Sequence, residues 1–112
     1  MKASMIDAMD LNEMRLWCLR GLAFHPELFS EVDGTLFMAG ECGNKIFQAM
    51  RAVYESGQAM TATNVGHMLG YDSVCLIGVV DVFTGVKVTY QSAETYIRKL
   101  EYKNEEIAND KI

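Results

Sequence analysis

Three cysteines, two histidines and fifteen carboxylates are the groups in this 112-residue chain that could attack a substrate, move a proton or hold a metal. Cys18, Cys42 and Cys75 are widely spaced, with no Cys-x-x-Cys among them. Their number is odd and each falls inside an apolar pattern, so all three read as free, buried thiols in a reducing compartment. His25 precedes a proline and reads as a helix-cap or surface histidine. His67 sits beside Met68 in a short helical pattern and reads as exposed. Neither has the neighbours of a metal ligand or a general base. A Cys–His nucleophile pair would have to be assembled in space, and nothing local points to one. Glu101, Glu105 and Glu106 read as a solvated helix face rather than a paired acid and base. Gly-x-x-x-x-Gly-Lys-Ser/Thr is absent, so ATP binding of the P-loop kind is excluded. The expectation is a chain with no catalytic, metal-binding or cofactor-binding residue.

Bulk properties point to protein partners, or to none, rather than to direct DNA contact. Half the residues are apolar, enough for a core without staples, and the length is that of one domain. The net charge is −5 and the sequence pI about 4.9. A nucleic-acid binder carries a basic face, which is missing here, so no direct DNA contact is expected. The first ten residues hold two aspartates and no long apolar run, unlike a signal peptide. No stretch approaches the ~20 apolar residues of a membrane span. These features place the chain in the cytoplasm.

The elements follow from spacing. Met1 to Met9 reads as a flexible leader, and residues 10–89 as a helical head. Asp10-Leu11-Asn12-Glu13 has capping-box spacing. Leu11, Met14, Cys18 and Leu22 then share one helical face, widened by Leu16, Leu19 and Ala23. Pro26 stops that helix and suits the first turn of a short one over Glu27–Val32. Asp33-Gly34 reads as a turn, with Leu36 and Phe37 as anchors of an irregular segment. Ile46, Phe47, Met50, Val53 and Tyr54 mark the clearest helix, with Gly57 as its left-handed stop. Thr61 or Thr63 caps a fourth helix through Val65, Met68 and Leu69, ended by Gly70. The eight methionines read as core filler, with Met38, Met60 and Met68 as groove residues if a groove exists.

Two segments carry the functional question. Val74 to Phe83 is rich in β-branched residues and, with Val86-Lys87-Val88 after it, reads by propensity as a β-hairpin. With Asp72 or Ser73 as cap it reads equally as a buried helix and a loop. Residues 90–112 form a longer terminal helix, capped by Ser92 and braced by Glu94 with Arg98. Its Tyr90, Tyr96, Ile97, Leu100, Tyr102 and Ile107 are the expected protein interface, because the helix is long for the body that would bury them. Thr63 to Phe83 also has the outline of a helix-turn-helix, with Phe83–Tyr90 as a wing. Its second helix would offer no Arg, Lys, Asn or Gln to base edges.

The order of signals resembles the N-terminal domain of DnaB-type replicative DNA helicases over about 90 residues. It runs from the capped apolar helix through His25-Pro26-Glu27-Leu28-Phe29-Ser30-Glu31-Val32 and Phe37 to Lys45–Gly57. Thr61–Leu69, Ile77-Gly78 and Ser92–Leu100 follow, and the match is strongest from Phe24 to Gly57. The resemblance implies an all-α fold: a compact bundle of five or six short helices, then a longer C-terminal helix that starts a helical hairpin. It implies that Val74–Phe83 is helical. It also implies a non-catalytic DNA-replication domain that self-associates, as dimers within a hexameric parent, and docks primase and helicase loader proteins. ATP and Mg²⁺ would then belong to an ATPase domain outside this sequence, whether the chain is an excised domain or a stand-alone relative. Two other readings are a winged helix-turn-helix DNA-binding regulator and a stand-alone mimic of the helicase head that binds a helicase or loader.

Overall fold

The computed structural model describes residues 11–32, 41–70, 73–85 and 87–110, without the side chains of Asn12, Glu41 and residues 104–110. The leader, the Asp10 half of the capping box, the Asp33-Gly34 turn, the Leu36 and Phe37 anchors and Met38 lie outside the described residues. The chain is all-α. Its elements are α1 (Leu11–Phe24), a 3₁₀ helix (Pro26–Glu31), α2 (Glu41–Glu55), α3 (Ala62–Leu69), α4 (Leu76–Phe83) and α5 (Tyr90–Asp110), with no strand among the described residues.

Helix α1 is the spine. Met14, Cys18 and Leu22, spaced by four, are fully enclosed, and Leu19 joins them. The spine runs antiparallel to α5, with which it makes the most extensive packing in the molecule. Trp17 packs on Tyr96 at 5.6 Å between ring centroids. One turn on, a Cβ at Gly21 would lie 2.7 Å from the Cβ of Ala93, so only glycine lets the two backbones come this close. Pro26 takes the first turn of the 3₁₀ helix, as its fixed φ allows. His25, just before it, makes no capping bond. Its Nε2 lies 2.8 Å from the Val88 carbonyl. A carbonyl only accepts, so Nε2 carries the hydrogen. The ring meets Tyr90 edge-on and thereby ties the end of α1 to the start of α5.

Helix α2 buries Ile46, Phe47, Met50 and Val53. Phe29 of the 3₁₀ helix stands against both Phe47 and Tyr54, at 5.5 Å in each case. Gly57, at φ +76°, ends the helix. Its N–H donates to the Tyr54 carbonyl and the Gln58 N–H to that of Val53, the paired bonds of a Schellman stop. Thr61 is the cap of α3, its hydroxyl accepting from the Asn64 N–H at 3.1 Å.

The hairpin expected from propensity is not formed. Residues 76–83 are helical because Val79 and Val82, three apart, are both buried where α4 meets α1, α2 and α3. Contacts with three neighbours outweigh an intrinsic preference worth at most ~1 kcal/mol per residue. The C-terminal turn of α4 is clamped from α1. Arg20 donates from Nε and a terminal nitrogen to the Asp81 carbonyl, at 3.1 and 3.0 Å, placing a cation where helix carbonyls are otherwise unsatisfied. The start of α5 is capped by Thr89 rather than Ser92. The Thr89 hydroxyl accepts from the Ser92 N–H, which puts Ser92 three residues inside. Glu94 and Arg98 pair at 3.7 Å, as their spacing predicts.

The cysteine reading is corrected at two of its three positions. Cys42 and Cys75 form a disulfide, with Cα atoms 5.3 Å apart, that joins the first turn of α2 to the entry of α4. Cys18 is the free, buried thiol. The bonded pair stands 33 positions apart in the chain, and their proximity is made by the packing of α2, α3 and α4. No spacing rule sees such a contact.

Candidate protein interface

Helix α4 is apolar on both sides but covered on one. Cys75, Val79 and Val82 point into the core. Val74, Ile77 and Val80, spaced by three, point out, and are 84, 75 and 53 % exposed. Val74, just before the helix, and Ile77 and Val80 on it form an exposed aliphatic ridge, with Asp81 exposed one turn on from Ile77. Asp81 and Thr84 are the exposed polar residues near its far end.

Beside the ridge lies a groove between α2 and α3, about 590 Å³ in volume. Its apolar lining is Ala49, Ala52, Met68 and Leu69, and its polar rim is Asn44, Lys45, Gln48 and Ser73. Ser73 is the residue before Val74, so groove and ridge meet along the chain. Met68, expected at a groove, lines this one and is exposed. Met60 is half-buried against the core instead.

Half of the interface expected on the terminal helix is core. Tyr96, Ile97 and Leu100 are buried. The expectation rested on a helix with too little body beneath it, and α1 supplies that body along the antiparallel seam. Tyr90 and Tyr102 are exposed, Tyr102 by 59 %. Ile107 lies on α5 with its side chain outside the described residues. The ridge that is exposed had a signal in the sequence, the continuous apolar run from Val74 to Val80. Such a run shows that a segment is apolar without showing which side is covered.

A second groove, of about 330 Å³, lies between the 3₁₀ helix and α5, with Leu28, Val32 and Ile97 beneath Glu31, Glu94, Arg98 and Glu101. Tyr90 feels two of these carboxylates, Glu94 and Glu31. Its hydroxyl pKa is raised first by desolvation and then by the charges of Glu94, Glu31 and Glu27. The Tyr96 hydroxyl is raised by burial and by Cys18.

Among the described residues, no cysteine is poised for nucleophilic attack. Burial, reinforced by Glu101, pushes the Cys18 thiol far above its ordinary range and holds it protonated. Cys42 and Cys75 are consumed in the disulfide. His25 is held to Val88, and His67 is exposed on α3. No group of three or more His, Cys, Asp or Glu that could hold a metal occurs among the described residues. No helix of the described residues is long and apolar enough to cross a membrane. No family model matches the chain, and no curated protein or solved structure matches it either.

Proposed function

We propose that this chain is the non-catalytic head of a DnaB-type replicative helicase, a domain that associates with further copies of itself and docks primase and loader proteins. The observation that carries the proposal is the helix over Leu76–Phe83. Composition favours strand there, whereas the resemblance calls for a helix at that place, followed by a longer one, here Tyr90–Asp110. The exposed ridge of Val74, Ile77 and Val80 adds a surface suited to protein contact. On this reading the chain works in the cytoplasm, where thiol reductants set the state of the Cys42–Cys75 pair. ATP and Mg²⁺ act in an ATPase domain outside this sequence.

The test is solution mass by light scattering over a concentration series, with capture of purified primase and loader by the immobilised chain. A dimer or larger closed assembly, with capture of either partner, is expected. A monomer at every concentration that retains neither overturns the proposal. One feature favours a second reading: α3 is followed within a few residues by α4, the element order of a helix-turn-helix. Its outer helix presents Val74, Ile77, Val80 and Asp81, which do not read base edges, and residues 87–89 form no wing strand. Mixed duplex DNA at low salt decides between the two, because a winged helix binds it with steep salt dependence.

A further inference from the structure

We propose that the Cys42–Cys75 disulfide is a thiol-exchange site, opened by a dithiol reductant, and that its opening releases the first turn of α4. The inference goes beyond the association reading and does not depend on it. Both cysteines stand at the starts of helices. Cys42 lies in the first turn of α2, and Cys75 is the N-cap of α4. The first amides of a helix have no partner in its own ladder, and together with the helix dipole they stabilise an anion beside them. Whichever sulfur leaves when the bond is attacked, its thiolate is favoured. A stabilised reduced form makes a disulfide easier to reduce. Access is one-sided. Cys75 is enclosed, whereas Cys42 is half-buried. Beside it Gly43 has no side chain, and a Cβ built there would meet nothing within 4 Å.

The exchange therefore starts at Cys42. One thiolate of the dithiol bonds to the Cys42 Sγ. The S–S bond breaks with its electron pair on the Cys75 Sγ, which takes up a proton. The reductant's second thiolate then attacks its own bonded sulfur and frees Cys42, which is protonated in turn. The chain gains two electrons and two protons, and the dithiol departs as a disulfide. What this loosens follows from how α4 is held. Its later turns are fixed by other means: Val79 and Val82 are buried, and Arg20 clamps the Asp81 carbonyl. Over residues 73–77, Cys75 is the one buried side chain, with Val74 and Ile77 exposed. The bond from the Cys75 N–H to the Ser73 hydroxyl is local and ties the turn to nothing else. Rich in β-branched residues, the segment has little helical preference of its own, so without its tether this turn opens. The outward ridge of Val74 and Ile77 is then held in place only in the oxidised chain.

The experiment treats the full chain with dithiothreitol in the absence of denaturant and follows it by alkylation and by hydrogen exchange, both read by mass spectrometry. Circular dichroism checks that the reduced chain stays helical. Cys42 and Cys75 should become alkylated while Cys18 stays unmodified. A bond that opens only in denaturant overturns the exchange site. At short labelling times, peptides covering residues 73–80 should exchange at least about tenfold faster once reduced, while those of α1 stay protected in both states. Equal protection of residues 73–80 in the two states overturns the release of α4, and so does an α1 that loosens to the same extent. The double variant Cys42→Ser, Cys75→Ser should exchange like the reduced parent whether or not dithiothreitol is present. A response of that variant to dithiothreitol would place the effect elsewhere and overturn the assignment.

Discussion

At the scale of single residues, Cys18 carries the clearest consequence. Its thiol is fully enclosed and its pKa is raised, chiefly by burial. The folded chain keeps this proton where the unfolded chain would release it. The stability it contributes is therefore complete below the ordinary thiol pKa and is lost as pH rises above it. Alkylation counted by mass spectrometry at mildly alkaline pH should find no modified cysteine in the folded, oxidised chain. It should find one after denaturation and three after denaturation with a reductant. Three modified cysteines without reductant would show that Cys42 and Cys75 are not bonded. The same residues mark a limit of sequence reading. An odd count and wide spacing describe the chain in one dimension, where Cys42 and Cys75 are strangers. Cys18 was legible because its neighbours at four-residue spacing, Met14 and Leu22, are core residues.

Among the elements, those whose signals are local were legible. Pro26 at a first turn, Gly57 at a left-handed stop, Thr61 as a cap and the Glu94–Arg98 pair each act within a turn or two of their own position. Two other elements have their state decided by a neighbour. Helix α4 is helical because three helices close around Val79 and Val82. The inner face of α5 is core because α1 lies along it, over 70 residues away in the chain. A stripe such as Tyr96, Ile97 and Leu100 looks the same whether the partner is the same molecule or another. Truncating Ile97 or Leu100 to Ala should therefore cost ~2–5 kcal/mol of unfolding free energy, since each leaves a cavity in the seam. Tyr102→Ala, on the exposed side, should stay within about 0.5 kcal/mol. Urea melts of the three variants test this, and equal small effects at all three would return the stripe to the surface.

In the whole molecule, the disulfide encloses α2, α3 and the entry of α4 in one covalent loop. Closing a loop of 33 residues removes unfolded-state entropy worth about 3–4 kcal/mol in the chain-entropy account. Reduction should lower the unfolding free energy by roughly that amount, and the double variant Cys42→Ser, Cys75→Ser should match the reduced parent. Denaturant melts with and without reductant measure both, and superimposable curves would show that the bond constrains nothing. The seam of α1 with α5 stands outside that loop and joins opposite ends of the described chain. Its order of assembly follows. Contacts inside the loop span short stretches of chain and can form early. Bringing Gly21 to Ala93 must first confine the whole length between them, an entropic toll that delays distant pairings. The terminal helices therefore dock late onto a preformed centre, and substitutions in their seam act mainly by hastening unfolding.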